Sequence, residues 1–377
     1  MNRLVYIAAV TLVLVGAGTA ASGQQFRKAV YYGTGKNTGP YAVVSAHLTN
    51  SGHLDLAFAD YASDSVSILL GNGDGTFQSP IKFSVPAAFA LAVGDFNDDG
   101  NADLAVVESA GNQFGFLQIL IGEGNGRFQK GELYQLGIEP TSVAIADFNG
   151  DGHLDLAVAN NGGQSGKGSV MVFAGTGKGT FKTPVTYEIA GAPWGIAARD
   201  LNGDHSPDLA VTNLGGYVSI LLNDGTGHFL KPVSYRWNGA PVDVKIVDLR
   251  HDGRQDLVVA DLAEGMVVLL NNGNGTFGKP TIYIVCGNHC QPPEACVLAD
   301  FNLDGKLDVA CAASLYDSYL FYGNGRGQFG AANPIHDTIQ NQGGYGIASG
   351  DFNHDGVPDL AFPIELKGKV AILLNTK

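Results

Sequence analysis

Apolar residues along this chain fall into short runs separated by clusters of Gly, Asn, Asp and Pro, and the runs carry the spacing of β-strands. TSVAIAD (141–147) leads into an acidic loop, and LDLAVAN (154–160) leaves it. Another apolar strand follows, such as VSILL (66–70) or VVLL (267–270). A Gly-rich hairpin and a strand such as FQSPIKF (77–83) complete the unit. The pattern predicts four antiparallel strands per unit.

The unit repeats. DFNDDGNADL from Asp95 recurs as DFNGDGHLDL from Asp147, DLNGDHSPDL from Asp200, DFNLDGKLDV from Asp300 and DFNHDGVPDL from Asp351. Two eroded copies, HLTNSGHLDL from His47 and DLRHDGRQDL from Asp248, complete a series of seven at a period of 48 to 53 residues. Solenoid repeats of this length carry helices, whereas four strands per repeat make a propeller blade. The predicted fold is therefore all-β, a seven-bladed β-propeller. FRKAVYY (26–32) matches an outermost strand with no partners before it, and VAILLN (370–375) is a third strand lacking its fourth. The N-terminal strand is thus expected to complete the seventh blade and close the ring, leaving no open edge.

Composition fits a turn-rich β protein: of 377 residues, 45% are hydrophobic and 15% charged, with 53 Gly and 15 Pro. Residues 1–23 have the layout of a secretory signal, with Arg3, an apolar run from Leu4 to Val15, then small residues. The expected organisation is a signal peptide over 1–23 and one propeller domain over 24–377. The apolar run is short for a membrane span, so no transmembrane anchor is expected in the mature chain. Secretion follows, with periplasmic or cell-surface retention left open, and the chain is expected to be a monomer. The formal charge of -14 argues against nucleic acid as a partner, yet 20 of the 36 acidic residues lie in the repeated loops, so much of that charge is a statement about metal.

Numbered from its first residue, each intact loop carries oxygen side chains at positions 1, 3, 5 and 9. These sets are Asp95, Asn97, Asp99 and Asp103; Asp147, Asn149, Asp151 and Asp155; Asp200, Asn202, Asp204 and Asp208; Asp300, Asn302, Asp304 and Asp308; Asp351, Asn353, Asp355 and Asp359. Calcium takes six to eight oxygen ligands, and a tight acidic loop with a Gly at its turn supplies them. Position 7 varies freely, as expected if only its carbonyl is used, and position 2 is Phe or Leu. The alternative is an Asx-rich turn whose side chains only cap backbone groups. Without a cation the carboxylates repel, and the loop should be strained or open. An EF-hand is excluded because strands flank the loop and no Glu stands at position 12.

The copies differ. His205 replaces the turn Gly in the loop from Asp200, weakening that site. Arg250 takes position 3 in the loop from Asp248, where it can pair with Asp248, Asp252 and Asp256. His47, Thr49, Ser51 and Asp55 offer too little negative charge for calcium.

Strings such as GTGKGT (175–180) are hairpins and not phosphate loops, since no helix follows. Six of the nine His lie in the acidic loops, and no catalytic motif stands outside them. An enzyme is therefore not the leading expectation. Cys286, Cys290, Cys296 and Cys311 favour disulfides in an exported chain, and Cys296–Cys311 with Cys286–Cys290 is the preferred pairing of three; a zinc site using His289 is the alternative.

The position six residues before each loop holds Tyr41, Phe89, Thr141, Trp194, Val242, Glu294 and Tyr345. These seven should ring the mouth of the central channel opposite the loops. Asp60, Glu108, Asn160, Asn213 and Asp261, five residues beyond each loop's last Asp, should face the same end. Tyr41, Phe89, Trp194 and Tyr345 with Asn160 and Asn213 form the candidate ligand face, for a sugar or a peptide. The competing reading is that the aromatics plug the channel.

DFNxDGxxDL before LAVAN, with a GNGxGxF hairpin in each unit, resembles the FG-GAP or VCBS repeat, a family that includes the integrin α-subunit propeller and a calcium-containing seven-bladed fungal lectin. The resemblance covers nearly all of the mature chain. It implies calcium in the loops of the lower face and partners met on the upper face. The expected function is a calcium-binding adhesion or binding module for a carbohydrate or an extracellular protein. A polysaccharide lyase or hydrolase and a purely structural surface protein remain as alternatives.

Overall fold

The computed structural model describes residues 25–35, 38–284, 292–313, 318–335 and 345–377, together with two-residue strands at Tyr6–Ile7 and Thr11–Leu12 that lie parallel to the outer strands of two blades. Seven sheets form, each with four antiparallel strands from one blade. Blade 1 runs Pro40–Ala46, Asp55–Asp60, Ser65–Leu69 and Ile81–Ser84, and the next five blades repeat that order. Blade 7 takes Ala348–Gly350, Asp359–Ile364 and Lys369–Leu373 from the C-terminus, and its outer strand is Val30–Gly33. Val30 to Gly33 pair in register with Ile372 to Lys369, so the ring closes as the sequence predicts. Phe26 bridges Asn375 and extends the closure by several residues.

Burial explains the apolar patterns. The second strand of a blade is covered on both faces by neighbouring blades, and Asp55–Asp60, Asp103–Glu108, Asp155–Asn160, Asp208–Asn213, Asp256–Asp261 and Asp359–Ile364 are buried at every residue. Such strands must read as continuous apolar runs, as LAVAN does. First strands line the channel and are only partly covered, so they tolerate polar residues.

The hairpin Phe is a peg between blades. Phe229 packs edge-on against Phe148 and Tyr187 of the preceding blade, at 5.4 and 5.5 Å between ring centroids. Its backbone N–H also donates to the Tyr187 hydroxyl at 3.2 Å. Phe181 with Tyr134, Phe277 with Tyr235 and Phe329 with Tyr283 repeat that bond. The hairpin motif therefore specifies blade docking as well as a turn. Blade 6 is stapled by the expected Cys296–Cys311 disulfide, whose S–S distance is 2.02 Å, between paired positions of its first two strands. Cys286 and Cys290 lie outside the described residues, as does His289.

Candidate functional site

Each acidic loop joins the first and second strands of its blade, and position 9 anchors it. Both oxygens of this buried Asp accept backbone N–H groups: Asp103 takes Phe96 at 2.8 Å from position 2 and Gly122 at 2.7 Å from the hairpin. Asp55 does the same with Leu48 and Gly71 in the eroded first loop. The bracket thus survives where the other acids have gone, which gives position 9 a structural duty in every blade. At the hairpin end the chain passes so close that a Cβ on Gly122 would sit 2.0 Å from the Ala102 carbonyl oxygen.

Position 1 closes the turn. Asp95 accepts the N–H of Asp99 at 3.2 Å and of Gly100 at 2.7 Å, and Asn97 accepts that of Asp99 at 3.1 Å. Asp300 and Asp351 reproduce the arrangement. The loops are closed turns in which backbone N–H dipoles face the carboxylates and offset part of their mutual repulsion. Among the described residues no group of three or more His, Cys, Asp or Glu stands preassembled as a metal cage. Repulsion is still felt at position 9. Burial, joined by the carboxylates at positions 5 and 1, pushes Asp208 and Asp308 up to about 6 and Asp359 to about 7. Two left-handed residues shape every loop but the first, which keeps only Gly52. At position 6 are Gly100, Gly152, Gly253, Gly305 and Gly356, with His205 at φ 71 in the same role. At position 4 are Asp98, His251, Leu303 and His354, a requirement the sequence reading missed.

Whether these loops suit a cation is tested inside the molecule by blade 5. The Arg250 guanidinium donates to both oxygens of Asp256, at 3.1 and 2.7 Å, and to the Asn271 carbonyl at 2.8 Å. It also stands 3.5 Å from Asp252. A positive charge therefore sits between positions 5 and 9, as read from the sequence, although Asp248 is engaged by backbone N–H groups instead. In blade 1 the replacement is neutral: the Thr49 hydroxyl lies within hydrogen-bond distance of Ser51 and Asp55. The five intact loops keep the acids of this frame without either substitute. Their Asp, Asn, Asp and Asp side chains fit a hard divalent cation such as calcium.

At the opposite end, the structure brings all seven predicted rim residues together. Tyr41, Phe89, Thr141, Trp194, Val242, Glu294 and Tyr345 line one cavity of about 460 Å³ in the mouth of the channel. Four rings form a continuous arc: Tyr345 stacks on Tyr41 at 4.4 Å, Tyr41 meets Phe89 at 4.4 Å, and Phe89 meets Trp194 edge-on at 6.2 Å. Thr141 is buried and donates to the Trp194 carbonyl at 2.7 Å, fixing that residue from the adjacent strand. The same cavity also touches Val44, Val143 and Lys245, deeper along the inner strands. Burial, then the Glu294 carboxylate, raises the Tyr41 hydroxyl well above the ordinary tyrosine range, so it stays protonated as a donor.

The far wall is ionic and was not anticipated. Asp243 accepts from Lys245 at 2.9 Å and from the Cys296 N–H at 3.1 Å. The available signal was PVDVKIV (241–247), an inner strand with charges at alternate positions. Asn160 and Asn213, in contrast, do not line the cavity. Each ends a second strand, where the neighbouring blade buries it. Asn160 accepts from Gly137 at 2.9 Å, and Asn213 donates to Val211 at 3.1 Å and to Ser219 at 3.3 Å. Asp261 likewise caps a turn, accepting from the Trp237 indole at 2.6 Å and from Ala263 and Glu264. That polar set belongs to the scaffold.

Comparison with known proteins agrees with this architecture. The profile of the FG-GAP-like repeat matches residues 47–106, 95–158, 147–211, 200–259, 248–311 and 300–362, and the chain belongs to that family. Phosphatidylinositol-glycan-specific phospholipase D of Mus musculus is 26% identical over 225 residues, covering 49% of this chain and 25% of the mouse protein. Among solved structures, an Agrocybe aegerita lectin described as recognising non-reducing terminal N-acetylglucosamine superposes with a TM-score of 0.55 at 20% identity, over 90% of this chain and 86% of the lectin. BBS1N in its complex with ARL6DN superposes with a TM-score of 0.64 at 12% identity, over 94% of this chain and 98% of that one. Similarity at these identities establishes the fold. No helix among the described residues is long and apolar enough to cross a membrane.

Proposed function

We propose that this chain is an exported, calcium-stabilised binding module that takes a carbohydrate in the mouth of its central channel. The observation that carries the reading is the cavity: an arc of four aromatic rings faces a wall bearing Asp243, Lys245 and Glu294. Sugars present apolar C–H faces and hydroxyl edges, and a site with aromatic planes beside carboxylates complements both. The fold relatives include a lectin that recognises a sugar and a propeller held in a protein complex, so the choice of carbohydrate rests on the cavity's chemistry. Export is supported by the N-terminal segment of 1–23 and by the Cys296–Cys311 disulfide, which persists in oxidising compartments. Calcium would be held by the five intact loops, away from the cavity, as a stiffener of the blades.

The test is a glycan array probed with the full chain in calcium, repeated with Trp194→Ala and Tyr345→Ala. Binding to a defined glycan class, lost in both variants while their melting temperatures stay near that of the parent, is the expected result. Retained glycan binding in both variants would remove the cavity from the function. Capture of an extracellular protein with no glycan bound would assign the mouth to a protein partner.

A further inference from the structure

Adjacent acidic loops touch around the lower face, position 4 of one against position 7 of the next. Asn50 meets Asn101 at 3.5 Å, and Asp98 meets His153 at 2.7 Å. Across the closing seam between blades 7 and 1, the same contact joins two imidazoles: His354 Nε2 and His53 Nδ1 stand 2.8 Å apart, one donating to the other.

We propose that His53 and His354 form a site for a borderline divalent transition ion of the zinc, nickel or cobalt type, which clips the last blade to the first. Imidazole nitrogen is a preferred ligand of such ions and a poor one for calcium. Two nitrogens on one tetrahedral ion lie about 3.3 Å apart at metal–nitrogen distances of about 2.0–2.1 Å. The rings must therefore separate by only about half an ångström from their present contact. Both side chains are at least partly exposed, which leaves them that freedom and gives water access to the remaining coordination positions. The ring that now donates need only carry its hydrogen on its other nitrogen to present a lone pair to the ion.

The pair is held in place by its surroundings. The His53 backbone N–H donates to the Ser51 hydroxyl at 3.1 Å, and its carbonyl lies 3.0 Å from the His47 ring. The hairpin beneath is glycine where the rings lie: a Cβ on Gly73 would stand 2.4 Å from His53 Nδ1 and 3.1 Å from the His354 ring. Asp74, the next residue, adds a carboxylate to the same hairpin. Blade 1 is the blade whose own loop keeps only its position-9 acid, Asp55. A d-block ion on this seam would give it the tie that calcium gives its neighbours.

The experiment uses the untagged full chain in saturating calcium, titrated with zinc chloride by calorimetry and followed by thermal melting. The parent is expected to bind one zinc ion per chain and to melt higher with zinc present. His53→Gln and His354→Asn, the latter chosen because Asn tolerates the left-handed backbone at position 4, should each weaken zinc at least tenfold and abolish the rise in melting temperature. Both should keep the parent's response to calcium, showing that they fold. His153→Gln should bind zinc like the parent. Absence of saturable zinc binding in the parent, or equal affinity in both seam variants, would overturn the proposal.

Discussion

Replacing Arg250 by Asn converts DLRHDGRQDL into DLNHDGRQDL, which restores the position-3 ligand of the intact loops. The parent residue is 16% exposed and its partner Asp256 is 0% exposed, so the substitution leaves a buried carboxylate without its counter-charge. Breaking such a pair costs about 3–5 kcal/mol. In chelator the variant should therefore be destabilised by that order. In calcium the same vacancy becomes a site, and an ion at about 100 times its dissociation constant returns about 2.7 kcal/mol. Native mass spectrometry should count five calcium ions on the parent and six on the variant. Denaturant unfolding with and without chelator should show a gap between the two proteins that narrows by more than half when calcium is added. Arg254 also holds Asp252 from outside, so a second variant carrying Arg254→Gln as well distinguishes a blocked site from an absent one. If neither variant gains an ion, or if calcium leaves the gap unchanged, the loop frame is not a cation frame and the assignment of the other five falls with it.

Asp55→Ala tests the bracket in the blade that has no calcium set: two buried N–H groups, of Leu48 and Gly71, lose their acceptor, and a loss of about 2–4 kcal/mol in denaturant unfolding should be the same with and without calcium. The calcium-free protein should lose stability as pH rises from about 4 to 7. Asp208, Asp308 and Asp359 have folded values above their ordinary one, so the folded state holds more protons in that window and the stabilisation present at low pH disappears as they ionise. Calcium needs them ionised, so the rise in melting temperature it produces should grow over the same window; a calcium increment that shrinks with pH would contradict the assignment. Replacing Cys296 and Cys311 by Ala opens a cross-link spanning 15 residues, for which chain entropy predicts a loss of about 3 kcal/mol in denaturant unfolding.

The ring was legible because every element that builds it is local and repeated. Loop, hairpin and strands recur in one frame, so a position such as Trp194 could be transferred from blade to blade and placed at the rim without coordinates. Cys296 and Cys311 were legible for the same reason, since they flank one loop. What escaped depends on how one blade meets another. Asn160 and Asn213 were assigned to the rim because they sit at the right end of their strands, but second strands are sandwiched between blades and their ends are covered. Asp243 and Lys245 break the apolar pattern of an inner strand, a signal that was present and passed over. His53 and His354 are 301 residues apart, and only closure of the ring brings them together. The hairpin Phe read as part of a turn because its Tyr partner lies one blade back.

The innermost strand ties the two ends of the molecule together and limits what calcium can do for binding. Each rim residue precedes the first loop ligand by six residues, as Trp194 precedes Asp200, and an extended chain covers about 20 Å in that length. The cavity reaches down to Val44, Val143 and Lys245, still three or four residues, about 10–13 Å, short of the first loop position, so a calcium ion in a loop would act on a ligand in the cavity through the fold and not by coordinating it. Chelation should then leave the affinity within a few-fold of its starting value at temperatures well below the calcium-free melting point. Affinity should fall together with the folded fraction as that point is approached. Binding measured by calorimetry at several temperatures, with and without chelator, separates the cases. Complete loss of binding on chelation at a temperature where the fold is intact would mean that an ion sits at the mouth itself, and the division into a stiffened lower face and a reading upper face would have to be abandoned.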